Sequence, residues 1–135
     1  MLDEAAIAAL YERMGPENLR AMVAGFYEQV PTDDILGPMY PPDDLSGAER
    51  RLLGFLVFRF GGPQDYIEER GHPRLRMRHA PFAIDMAARD RWVKLMDASI
   101  DRLQIDAETV TTLKAFLHHI ATFLINRGEP ELVTF

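Results

Sequence analysis

The sequence contains no cysteine. That absence removes iron–sulfur clusters, zinc ribbons, thiolate-ligated haem and cysteine nucleophiles together, and it leaves the redox compartment open, because a cysteine-free chain survives in any of them. Positive charge is also short. Fifteen Lys and Arg stand against twenty-one Asp and Glu, a formal net charge of -6 with histidine neutral. An acidic chain is a poor partner for nucleic acid or an anionic membrane face, so neither is expected. No apolar run approaches the roughly 20 residues of a membrane span, and Met1 is followed by Asp3 and Glu4 where a signal peptide needs a basic start. The expectation is a soluble, unprocessed, cytoplasmic protein. Nothing alternates at period two for long enough to argue a sheet, and no internal repeat or low-complexity tract appears. A phosphate-cradling loop is missing, since Gly61-Gly62-Pro63 is too short for one, and Asp43-Asp44 lacks the calcium-loop pattern.

What is present is apolar material at helical spacing. Of 135 residues, 47% are hydrophobic, enough for one domain to bury a core without disulfides. Asp3 is placed to cap a first helix through Ile7, Leu10, Tyr11 and Met14, which Gly15-Pro16 interrupts. A second begins at Pro16 and runs Leu19, Met22, Val23, Phe26, Tyr27, Val30 up to Pro31. Residues 31–45 read as turns. Ser46-Gly47-Ala48-Glu49 matches a reciprocal capping box, with an apolar helix to Phe60 behind it. After a polar, arginine-rich passage from Gln64 to Pro81, Asp85 caps a helix with Trp92, Leu95, Met96, Ser99 and Leu103 inward. Asp106 opens the last, with Val110, Leu113, Phe116, Leu117, Ile120 and Leu124 inward. The class is all-α.

Few residues are odd enough to carry chemistry. Tyr27, Tyr40 and Trp92 fall on or beside inward faces, bringing two hydroxyls and an indole N–H that need acceptors. Each alone could meet a backbone carbonyl or a water; three together ask for a shared reason. His79 ends the run Pro73-Arg74-Leu75-Arg76-Met77-Arg78-His79, just before Ala80-Pro81. A lone histidine is most often a surface residue. A neutral imidazole is also the usual single protein ligand of haem iron, and haem propionates need cations such as those of Arg74, Arg76 and Arg78. The competing reading of these arginines is a solvated docking loop. His118-His119 are adjacent and point about 100° apart on a helix, so they do not address one metal ion together. Ser46 is taken by its cap and Ser99 has no evident base, so hydrolysis finds no site.

Phe26-Tyr27, the stretch from Met39 to Glu49, Gly61-Gly62-Pro63, the block Gly71-His72-Pro73-Arg74-Leu75-Arg76-Met77-Arg78-His79-Ala80-Pro81-Phe82 and Arg89-Asp90-Arg91-Trp92 together resemble the group II truncated haemoglobins of bacteria. The resemblance spans roughly residues 7–125. It implies a truncated globin fold, a two-over-two helical sandwich around haem b (iron protoporphyrin IX), forming one domain over residues 1–135 with 1–6 and 126–135 as peripheral extensions. His79 matches the proximal iron ligand. Tyr27, Tyr40 and Trp92 match the donors to bound ligand, Ala48 falls where vertebrate globins carry a distal histidine, and Leu52 lies one turn on. Phe55 and Met77 join the cofactor's lining, and Arg78, Tyr66 and His72 are assigned to the propionates. One departure stands out: a glycine pair is present only at Gly61-Gly62, and Gly15-Pro16 replaces the other.

The resemblance makes the chain a binder of dioxygen and other small ligands with slow oxygen release, suited to oxygen transport. The alternative is a redox protein, oxidising nitric oxide or acting like a peroxidase, which needs an external reductase. A cofactor-free helical adaptor using the arginine loop is the third reading. No exposed heptad or flat apolar strip announces an interface, so oligomeric state is left open.

Overall fold

Every stretch whose apolar residues recur at helical spacing folds as helix, and no strand occurs among the described residues. The computed structural model describes residues 2–63 and 84–126. Along them run α1 (Glu4–Ala8), α2 (Leu10–Met14), α3 (Pro16–Gln29), α4 (Leu45–Arg59), α5 (Met86–Ile100) and α6 (Ala107–Phe123). The 3-10 turns Val30–Thr32 and Gly37–Met39 occupy the segment between α3 and α4. α3 packs on α4 and on α5, and α5 packs on α6.

The first predicted helix is two helices. Asp3 caps it as expected, its Oδ1 accepting from the Ala6 amide at 3.1 Å. At Ala9 the ladder stops, and the Tyr11 amide donates instead to the Phe60 carbonyl at the end of α4, 3.0 Å away. Ile7, Leu10 and Met14 stay buried on both sides of the break, so the apolar period does not register it. Gly61 makes this contact possible. Its φ is +89°, and a Cβ there would lie 2.1 Å from the Ala8 carbonyl oxygen, which leaves glycine as the residue that fits.

The reciprocal capping box is not formed. α4 begins at Leu45 with Asp44 as its N-cap, which puts Ser46 inside the first turn and exposes it. The Asp44 carboxylate accepts from the Arg51 guanidinium at 2.8 Å rather than from an amide. The other caps are as predicted: Asp85 accepts from the Ala88 amide at 2.9 Å, and Asp106 accepts from the Thr109 amide at 3.3 Å. α5 ends at Ile100, earlier than its apolar pattern. Leu103 follows in a turn, its amide bonded to the Ile100 carbonyl at 2.9 Å, and still packs on the core.

Among the described helices, α3 and α5 make the most extensive contact. Leu19, Met22, Val23 and Phe26 of α3 and Met96 and Ile100 of α5 are fully buried. Ser99, for which the sequence offered no catalytic base, donates from Oγ to the Met22 carbonyl at 2.6 Å. Gln29 Nε2 donates to the carbonyls of Gly25 and Leu95 at 3.1 and 2.9 Å. Asn126 and Ile84 pair through both directions, at 2.9 and 2.8 Å.

Candidate functional site

Between α3, α4, α5 and α6 lies a cavity of about 570 Å³, within the usual range for a small-molecule or cofactor site. α4 contributes Ala48, Leu52 and Phe55, which share one face at spacings of four and three residues. Leu36 and Met39 come from the segment before α4, Ala88 and Trp92 from α5, and Leu117, Ile120 and Ala121 from α6. The walls are mainly apolar. Their polar groups are concentrated in Tyr27, Tyr40 and Trp92, with Asp44, Arg51 and Arg89 also on the lining.

The three predicted donors meet each other. The Tyr27 and Tyr40 hydroxyls lie within hydrogen-bonding reach of each other, and the Trp92 indole N–H is within reach of the Tyr40 oxygen. Phe26 backs the group, its ring centroid 5.0 Å from Tyr27 and 5.3 Å from Trp92, while Tyr27 and Tyr40 meet edge to face at 5.6 Å. Such contacts fix ring planes as well as fill space. Burial, the neighbouring Tyr40 and the hydrogen-bonding contact with it all push the Tyr27 hydroxyl far above the ordinary phenol value, against a smaller opposing pull from Arg51. Burial likewise raises Tyr40, and the bonds from Tyr27 and Trp92 offset this only in part. No buried side-chain nitrogen or oxygen lacks a partner among the described residues.

Residues 9–126 match the bacterial-like globin family. The group 2 truncated hemoglobin YjbI of Bacillus subtilis is 37% identical over 123 residues, covering 91% of this chain and 92% of that one. The chain belongs to the group 2 truncated haemoglobins. Among solved structures, a thermostable hemoglobin from the actinobacterium Thermobifida fusca is 44% identical with a TM-score of 0.84, covering 87% of this chain and 97% of that one. A truncated oxygen-avid haemoglobin from Bacillus subtilis gives a TM-score of 0.82 at 37% identity, covering 87% and 99%. Membership of this group carries haem-based binding of dioxygen and other small gas ligands.

A truncated haemoglobin has to seat a flat, largely apolar macrocycle with two carboxylates, and the residues present suit that group. The cavity walls are apolar, neutral donors cluster on one side, and the Arg51 guanidinium is at the lining. Of the residues named from sequence, Tyr27, Tyr40, Ala48, Leu52, Phe55 and Trp92 are brought together around this one space. His79, Arg78, Tyr66, His72 and Met77 lie outside the described residues. His118, set aside as a metal ligand, pairs through Nε2 with the Asp97 carboxylate at 2.9 Å, and His119 is exposed. No group of three or more metal-ligating side chains occurs among the described residues, and no helix among them is long and apolar enough to cross a membrane. Arg51 was missed by sequence reading. Its signal was present: it stands three residues after Ala48, on the stripe that Leu52 continues.

Proposed function

We propose that the chain binds dioxygen at a haem b whose iron is ligated by His79, with Tyr27, Tyr40 and Trp92 as the hydrogen-bonding wall opposite and slow oxygen release as the result. The observation carrying this reading is the clustering of the three polar tips of Tyr27, Tyr40 and Trp92 on the wall of a mainly apolar cavity. Haem, when bound, supplies an iron with one position open to a diatomic ligand.

The chain's own residues do the rest. A ligand that draws electron density from a metal presents a partly negative outer atom, and neutral O–H and N–H groups in a dry pocket stabilise it by about 1–3 kcal/mol each. Tyr27, Tyr40 and Trp92 supply these groups, and their contacts with one another hold the three polar tips together at the wall. Ala48 is small and carries no polar group, so access to the pocket is governed by larger neighbours such as Leu52. Arg51 shares its charge with Asp44 at 2.8 Å, and its side chain is 37% exposed. A guanidinium so placed suits a propionate, alongside the cations of the 72–79 segment. The oxygen-avid character named for the Bacillus subtilis relative agrees with a donor-rich wall.

Stopped-flow measurement of oxygen release tests the reading. Loss of one donor bond speeds dissociation about tenfold per ~1.4 kcal/mol, so Tyr27→Phe and Trp92→Phe are each expected to release oxygen severalfold faster than the wild type. Unchanged rates in both variants rule the donor wall out. A Soret band that persists in His79→Ala rules out the proximal assignment.

A further inference from the structure

Tyr40 sits in no long helix. It follows the 3-10 turn Gly37–Met39, and so short a turn has too few hydrogen bonds of its own to hold a ring in register. The start of its segment is fixed by Asp33. One carboxylate oxygen, Oδ2, accepts from the amides of Ile35 and Leu36 at 3.0 and 2.7 Å, and the Asp33 carbonyl accepts from the Gly37 amide at 3.0 Å. The other oxygen, Oδ1, receives Arg91 at 2.6 Å, and the same guanidinium nitrogen reaches Asp34 at 2.7 Å. Arg91 is the residue before Trp92 on α5. The Asp33 side chain is 7% exposed and that of Asp34 83%, so the Asp33 limb is shielded from water and carries the contact, whereas the Asp34 limb is solvated.

We infer that Asp33 and Arg91 are positioning residues for ligand retention: their ion pair locks the segment carrying Tyr40 onto the helix carrying Trp92, keeping the Tyr40 oxygen within reach of the indole N–H. A hydrogen bond weakens steeply as its angle bends below about 120°, so a small slip of this segment is enough to release Tyr40. Neither residue lines the cavity. The inference rests on the donor reading of Tyr27, Tyr40 and Trp92.

Trp92 is the chain's single tryptophan, so one indole N–H resonance reports its bond to Tyr40. The experiment uses the full-length holoprotein: the oxygen release rate by stopped flow, and the indole resonance with its hydrogen-exchange rate in the diamagnetic ferrous carbon monoxide form. Arg91→Met and Asp33→Asn are each expected to raise release by about threefold or more and to speed indole exchange. Arg91→Lys, which keeps the charge, should recover part of both. If Arg91 acts through Tyr40, the double variant Arg91→Met/Tyr40→Phe releases oxygen no faster than Tyr40→Phe alone. Lys114→Met, which breaks a pair of 2.8 Å with Asp101 away from the cavity, should lower thermal stability at most and leave both readouts unchanged.

A raised rate in Tyr40→Phe beside wild-type rate and exchange in Arg91→Met overturns the clamp alone. Additive effects in the double variant do the same. A wild-type rate in Tyr40→Phe overturns the donor reading, and the clamp falls with it. Should Arg91→Met fail to take up haem, Asp33→Asn decides, because its amide oxygen can still accept from Ile35 and Leu36.

Discussion

A buried phenol serves as a hydrogen-bond donor only while it keeps its proton. Burial holds Tyr27 and Tyr40 above the ordinary phenol value of 10, helped at Tyr27 by the neighbouring Tyr40 and only partly offset at Tyr40 by Tyr27 and Trp92, so both keep their protons throughout the range in which an exposed tyrosine begins to ionise. Oxygen release should therefore stay level up to pH 10, and a step in the rate centred at or below that pH would contradict the assignment. Asp33 behaves in the opposite sense. Burial works against its charge, but the Leu36 amide, the Arg91 guanidinium and the Ile35 amide outweigh it and hold the carboxyl below its ordinary 3.8. A carboxyl depressed on folding adds stability above its unfolded value, and that stability is lost as pH falls through the folded value. Asp33→Asn is expected to be less stable than the wild type near neutrality and to lose less on going from pH 5 to pH 2, read from urea midpoints. Tyr27, Tyr40 and Trp92 were legible from sequence because a polar tip on an inward stripe is unusual. Asp33 was not, since its role depends on Arg91, far along the chain on another helix.

Among elements, the contact of α3 with α5 leaves little room. A Cβ on Gly25 would lie 2.6 Å from Ser99 Oγ, and the hydroxyl is already committed to the Met22 carbonyl at 2.6 Å. Gly25→Ala should cost about 1–3 kcal/mol of stability through overpacking, and Ser99→Ala in the same chain should return part of it by making room. A double-mutant cycle of urea midpoints checks this; strictly additive losses would mean that the two sites do not press on one another. Helix positions were readable because period and caps are local signals, as Asp3, Asp85 and Asp106 show. Two features were misread for the same physical reason, which is competition from outside the local pattern. Ser46 and Glu49 have capping-box spacing, yet α4 starts one residue before Ser46 with Asp44 in the N-cap position. The run from Asp3 to Met14 has an unbroken apolar period, yet the Phe60 carbonyl draws the Tyr11 amide out of the ladder.

At the scale of the whole molecule, a mainly apolar hollow of about 570 Å³ between packed helices is a site whose occupant contributes to folding. A ligand present at 100 times its dissociation constant stabilises the folded state by about 2.7 kcal/mol. Removing haem should thus lower the melting temperature by several degrees or more, and His79→Ala should approach the melting temperature of the haem-free protein. Equal melting temperatures for the loaded and stripped protein would set this view aside. Because the only indole of the chain forms part of the wall of that hollow, its ultraviolet emission is a built-in gauge of loading. A porphyrin lodged against it drains the excited state by energy transfer, so the stripped protein should glow and the filled one stay dark, and the fraction of molecules carrying cofactor can be counted without attaching a dye.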